Sequence, residues 1–211
     1  MALSNAYATV AELQGHVNTD TSATWTNLDI NNMTSVIQSV SEWLDSKFNT
    51  TFYARTETRV YTADMDDMLY IDDLLSITTL KTDTTDDGTY DTTWTTADYW
   101  LEPTNNDLGR KPRPYRQIRV NYNGSNSFPS GVQRGVQIAG SWGYCTEANR
   151  PAVIKQITLL ASHRIWKRKD AIFGVAGTAA LGVTTVIAQV MSDGDIQLLL
   201  TGIDRRAIYY V

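Results

Sequence analysis

One cysteine, two histidines and no long apolar run set the first limits on this chain. A lone Cys145 excludes an internal disulfide and any multi-cysteine zinc site, and leaves the residue as a small side chain near a strand end. No window approaches the roughly 20 apolar residues of a membrane-spanning helix, because the stretch 175–190 is interrupted by Gly177, Gly182 and several threonines. No basic-then-apolar leader is recognisable, so the triplets beginning at Asn32, Asn49 and Asn123 read as chance sequons and folding in a cytoplasm is expected. A glycine-rich phosphate loop is missing too, since neither 140–143 nor 174–177 is followed by Lys-Ser/Thr.

Catalytic patterns are equally scarce. His16 and His163 stand far apart in the sequence, each without a nucleophile pattern nearby. No two carboxylates can be singled out for glycoside chemistry. The acidic runs Asp64, Asp66, Asp67, Asp72, Asp73 and Asp83, Asp86, Asp87 do not alternate as a calcium loop requires, and the twelfth position from Asp83 is Trp94 rather than Glu. Solvated turns account better for both. The chain therefore reads as a non-enzyme with no expected metal or cofactor.

What is present points to a folded protein. Hydrophobic residues make up 42% of the 211 and charged residues 19%, outside the range of disordered chains. Thr, Asn and Ser crowd the first 130 residues and favour strands, turns and caps. Net charge is only −5, but it is unevenly distributed. Residues 1–109 hold 4 Lys/Arg against 18 Asp/Glu, a balance of −14; residues 110–211 hold 14 against 5, a balance of +9. Such a split either drives association between copies or is neutralised where the halves interleave.

Helical periodicity opens the chain. Thr9 suits an N-cap with Glu12 completing a capping box, and Val10, Leu13 and Val17 share a face. A second helix is expected over about 27–48, with Met33, Val36, Ile37, Val40 and Leu44 as its stripe and Trp43 or Phe48 closing it. From 50 to 145 the pattern changes to short strands: 55–61, 68–71, 74–80, 89–94, 97–101, 117–122 and 132–142, with Asp86-Asp87-Gly88 as a tight-turn signal. That spacing predicts a small β sandwich or barrel. Helical period returns after Arg150-Pro151, with Val153, Ile154, Ile157, Leu160, Ala161, Ile165 and Trp166 as a broad apolar face and Arg164, Lys167, Arg168 and Lys169 at its basic end. No structure is assigned to 174–189. Asp193 then suits the N-cap of a last helix carrying Ile196, Leu199, Leu200 and Ile203 and ending near Arg205-Arg206.

The expected fold class is α+β: two N-terminal helices, one long central helix and one C-terminal helix forming a frame, with a small antiparallel β domain inserted. The helical body takes 1–49 and 146–211, the β domain 50–145. Two surfaces keep alternatives open. The run Arg110, Lys111, Arg113, Arg116 and Arg119, with Tyr115 and Tyr122, could track a phosphate backbone or pair with the acidic half. Trp94, Tyr99 and Trp100 could be core, or a platform for a protein or carbohydrate partner.

Tyr7-Ala-Thr-Val-Ala-Glu-Leu13, the amphipathic helix ending in Trp43-Leu44 and the following Phe52-Tyr53 resemble the opening of head–tail connector (adaptor) proteins of tailed double-stranded DNA bacteriophages. Gly140-Ser-Trp-Gly-Tyr144, the helix from Pro151 through the terminal Arg-Lys-Asp, and Asp195-Ile-Gln-Leu-Leu-Leu200 extend the resemblance over most of the chain. The 50–145 insertion departs from the smallest, all-helical members. The resemblance implies a homo-oligomeric ring of about twelve copies seated on a portal protein at the head–tail junction of a virion and assembled in the host cytoplasm. Double-stranded DNA would pass through without sequence recognition, a tail or stopper protein would follow, and no membrane is involved. It further implies a ring body or subunit contact at Ile154, Ile157, Ala161, Arg164, Trp166, Lys167 and Arg168. The portal contact would fall on Ile196, Leu199, Leu200, Ile203, Arg205, Arg206, Ile208, Tyr209, Tyr210 and Val211. The alternative is a tail-associated virion protein whose β domain binds a protein or carbohydrate.

Overall fold

A computed structural model describes residues 5–18, 24–106, 113–168, 176–178, 183–185, 193–201 and 203. The fold is α+β, with four helices, a six-stranded antiparallel sheet and a two-stranded ribbon among these residues. The chain divides into two compact units, Met1–Lys47 with Pro151–Val211, and Phe48–Arg150.

In the first unit, α1 (Val10–Val17) starts at a complete capping box. The Thr9 hydroxyl accepts the Glu12 amide at 3.2 Å and the Glu12 carboxylate accepts the Thr9 amide at 2.8 Å, satisfying two otherwise orphaned donors. Helix α2 (Asn27–Phe48) begins similarly, the Thr26 hydroxyl accepting the Asp29 amide at 3.1 Å. Its Met33, Ile37, Val40 and Leu44 are buried at helical spacing, the stripe expected of an amphipathic helix. Two buried hydroxyls on the same side are satisfied internally, Thr34 donating to the Ile30 carbonyl and Ser41 to that of Ile37.

Helix α3 (Ala152–Lys167) buries Ile154, Ile157, Thr158, Ala161, Ser162 and Trp166. The buried stripe is thus rotated from the all-apolar face expected: Ile165 is exposed, and the polar Thr158 takes an inner position. Thr158 can do so because its hydroxyl donates to the Ile154 carbonyl at 2.8 Å. Ala8, Leu13, Met33, Ile37 and Trp166 form one core cluster, with Trp25 edge-on to Trp166 at 5.7 Å. The segment left without structure in the sequence holds β7 (Ala176–Thr178) paired antiparallel with β8 (Val183–Thr185). Helix α4 (Gly194–Thr201) follows and packs on α3.

The second unit is built on β1 (Arg55–Tyr61), β2 (Met68–Thr82), β3 (Thr92–Trp94), β4 (Tyr99–Glu102), β5 (Tyr115–Val120) and β6 (Val136–Trp142). They form one sheet in the order β1-β6-β2-β5-β4, with β3 also paired to β2. The sheet is continuous, and both ends of β2, at Leu69 and at Leu80, reach the same core. The runs 68–71 and 74–80 are a single strand that continues through Asp72-Asp73, with register shifts at Tyr70/Leu74, Leu74/Ser76 and Ile77/Thr79. Bulges of this kind bend a strand without ending it. One edge of β2 carries β5 and β3, the other β6. The core includes Leu69, Leu74, Leu80, Trp94, Ile118, Phe128, Ile138 and Trp142. Strand β6 alternates strictly between buried and half-buried positions.

Candidate functional site

No cluster of three or more His, Cys, Asp or Glu side chains is placed to hold a metal among the described residues. The acids flagged in the sequence have local partners instead. Asp72 accepts from Arg59 and from the Tyr61 hydroxyl, and Asp73 from Arg116 and Thr50. Asp83 holds its own loop by accepting the amides of Thr85, Asp86 and Gly88. Burial opposes ionisation of Asp83, yet those backbone donors keep its carboxyl below the usual range.

The residues that carried the resemblance have definite work in the second unit. Trp142 is fully buried and its indole donates to the Glu57 carbonyl at 3.0 Å. The Arg59 guanidinium lies 4.5 Å from the Trp142 ring. Gly140 lies where any Cβ would collide with the Ser76 carbonyl of β2. Gly143, at φ +135°, abuts the Tyr53 carbonyl while its amide donates to Asp73 at 2.8 Å. The Tyr144 amide donates to the Thr51 carbonyl, and its ring packs 5.3 Å from Phe52. Arg150 donates to the Phe52 carbonyl at 2.9 Å. Residues 51–53 and 142–150, the two ends of this unit, are therefore clasped together. The same arrangement keeps Cys145 buried.

In the first unit the basic end of α3 is tied to the start of α4. The Arg164 guanidinium pairs with Asp193 and lies 3.7 Å from Asp195. Asp193 caps α4, its carboxylate accepting the amides of Asp195 at 2.9 Å and Ile196 at 3.3 Å. Of the residues expected at a portal contact, Ile196, Leu200 and Ile203 are buried and Leu199 is half-buried. Arg205, Arg206, Ile208, Tyr209, Tyr210 and Val211 lie outside the described residues. The outward face of α4 carries Leu198, 72% exposed. Of the ring-body residues, Ile154, Ile157, Ala161 and Trp166 belong to the unit's own interior, Arg164 serves the ion pairs, Lys167 is exposed and Arg168 half-buried.

The structure also brings together what the sequence separates. His16 and His163 meet edge-to-face at 5.2 Å. Burial, then His16, Lys167 and Arg164, hold the His163 imidazole below its ordinary range. Only three-dimensional packing of α1 on α3 creates this pair, so no linear motif could announce it. Of the basic run, Arg116 is committed to Asp73, Arg113 is half-buried and Arg119 is exposed, while Arg110 and Lys111 fall outside the described residues. Of the three aromatics, Trp94 is core, stacked on Phe128 at 4.7 Å with its indole donating to Thr82. Tyr99 is half-buried, and Trp100 is 59% exposed.

No protein-family model matches the chain, and no curated protein matches it in sequence. Its fold is similar to solved structures. One is a chain in "Neck of empty GTA particle computed with C6 symmetry", with a TM-score of 0.55 and 17% identity, covering 84% of this chain and 86% of that one. Another is a chain in "Virion of native gene transfer agent (GTA) particle", with a TM-score of 0.54 and 18% identity, covering 85% and 87%.

Proposed function

We propose that this chain is a structural virion protein of the head–tail neck, a ring-forming connector that docks on a portal and receives the tail. The carrying observation is the fold likeness over most of both chains to a protein in the neck of a particle with C6 symmetry. The sequence resemblance to phage head–tail connectors points the same way. In this reading the unit Met1–Lys47 with Pro151–Val211 is the connector body and Phe48–Arg150 an inserted β domain. Homo-oligomers with closed symmetry repeat one contact around an axis, and about twelve copies would surround a bore that passes double-stranded DNA without reading it. Helix α4 and the apolar end Ala207-Ile-Tyr-Tyr-Val211 would face the portal, with Leu198 the exposed apolar side chain of that helix.

Purified protein mixed with portal-bearing particles and imaged by electron microscopy tests this directly. A ring on the portal vertex is expected. No added density at the vertex across low and high salt would reject the reading. Truncation of 204–211, which spares α4 and its ion pairs, is expected to abolish attachment while leaving the fold intact; attachment at wild-type level would remove the tail from the portal contact.

A further inference from the structure

The two-stranded ribbon of the first unit is a sheet of its own. Strands β7 and β8 pair Ala176 with Thr185, Gly177 with Thr184 and Thr178 with Val183. Among the described residues neither strand pairs with any other, so the ribbon has two outer edges. A hairpin this small is marginal in water by itself, and further strands or a packed face are needed to hold it. Each outer edge also carries backbone N–H and C=O groups that the single partner strand leaves unbonded.

Edge strands that must stay single are guarded by lysine, other charges or proline. Here the guards are missing. From residue 171 to residue 192 the sequence holds no Lys, Arg, Asp, Glu or Pro, although Lys167, Arg168, Lys169 and Asp170 precede this stretch and Asp193 and Asp195 follow it. The edge strand β1 of the other sheet shows the contrast, with Arg55, Glu57 and Arg59 inside seven residues. An unguarded edge takes the strand offered to it at the highest local concentration. In a homo-oligomer that strand is the same hairpin of the next copy. Around an axis the β8 edge of one copy meets the β7 edge of its neighbour, antiparallel. This is a head-to-tail contact, and it leaves no edge open once the ring closes.

We infer that β7 and β8 of successive copies pair edge to edge into one closed antiparallel barrel around the ring axis. The inference rests on the ring reading above and names a contact that repeats around it. The dimensions agree with the bore that reading requires. About twelve hairpins supply about 24 strands, more than the roughly 16–18 that already enclose an aqueous channel. At about 4.8 Å between strands and a tilt of roughly 40°, the backbone ring is about 48 Å across. Half as many hairpins would give about 24 Å, before the inward side chains are subtracted. The lack of charge suits the same position. With no Lys or Arg in 171–192 to hold a passing phosphate, this wall does not slow the transit of a duplex.

The test uses the full chain and reads backbone amide exchange at 176–178 and 183–185 in three settings: rings alone, the chain diluted below ring formation, and rings on portal particles. Exchange at these amides is expected to slow at least about tenfold on ring formation alone. Thr178→Lys and Thr184→Lys each place a guard on one strand. Each is expected to remove that protection and to lower the ring population about tenfold or more by native mass spectrometry. Thr184→Val leaves the edge unguarded and is expected to change neither. Amides that exchange as fast in wild-type rings as in the dilute chain overturn the contact and leave the ring reading standing, a comparison that does not depend on the lysine variants folding. Protection that appears only on portal particles assigns the ribbon to the portal and overturns the contact. A wild-type chain that forms no ring in any setting overturns both.

Discussion

Asp193→Ala tests whether α4 is held by its first residues. The helix has eight residues, Gly194–Thr201, and helices this short are marginal without outside help. Two kinds of help converge on Asp193, a buried residue. Its carboxylate caps the amides of Asp195 and Ile196, which is worth about 1 kcal/mol. It also pairs with Arg164. Because the Arg164 side chain is 37% exposed and has Asp195 as a second acid, that pair must be discounted well below a buried one, to about 1 kcal/mol. Asp193→Ala is therefore expected to cost about 2 kcal/mol. Asp193→Asn keeps a good capping residue and removes only the charge, so about 1 kcal/mol is expected. Asp195→Ala, at a side chain 78% exposed, should fall below about 0.5 kcal/mol.

Urea unfolding gives the ranking, and amide exchange over 194–201 gives the local answer, since α4 can open without the rest of the unit. Faster exchange confined to these amides, in the order Ala, then Asn, then the Asp195 variant, is the expected result. Equal effects of Asp193→Ala and Asp193→Asn would refute the cap's contribution. Wild-type exchange in both would refute the clamp altogether.

Gly143→Ala should destabilise by about 2 kcal/mol or more, because its φ of +135° and the adjacent Tyr53 carbonyl leave no place for a Cβ; a denaturation midpoint within error of wild type would contradict this. Asp73→Ala leaves Arg116 without the carboxylate it pairs with, and about 3 kcal/mol is expected, with the Asp73→Ala/Arg116→Leu double variant costing less than the sum in a mutant cycle. His163 protonates less readily in the folded chain than its ordinary value of 6.5, so the unfolded state binds the proton more tightly. Its contribution to stability is present above about pH 6.5 and is lost as pH falls through the depressed folded value. His163→Gln should therefore flatten the decline in melting temperature between about pH 7 and pH 5, and an unchanged slope would exclude the pair as a cause.

The helices were legible because their signals are local. The Thr9 capping box and the Met33–Leu44 stripe declare themselves within a few residues, and α2 spans the range its periodicity predicts. The capping role of Asp193 was legible for the same reason. The β unit was legible in its strands but not in their assembly. Asp72-Asp73 reads as a break between two strands, because the partner that permits a carboxylate inside β2, Arg116, lies on β5 far along the sequence. Likewise the inner position of Thr158 depends on a hydrogen bond to its own helix, which hydrophobic periodicity does not register. Trp94 and Trp100 are equivalent in composition. Register separates them, one stacked under Phe128 and the other opposite Arg119 on the open face.

The charge split of the sequence changes meaning once the chain is counted by folded unit. Met1–Lys47 with Pro151–Val211 holds 8 Lys/Arg against 9 Asp/Glu, and Phe48–Arg150 holds 10 against 14, balances of −1 and −4. The halves at −14 and +9 are thus not two charged bodies, because each unit takes an acidic early segment and a basic late one. Within units the signs meet across the sequence, as Glu12 does with Lys155 and Asp73 with Arg116. The split therefore gives no ground for attraction between one acidic body and one basic body. Surface charges farther apart than roughly 8 Å are screened at physiological salt, so any electrostatic contribution to assembly has to come from small unpaired surfaces. It follows that salt should slow ring formation only modestly. A steep salt dependence in the wild type would return the long-range split to first place.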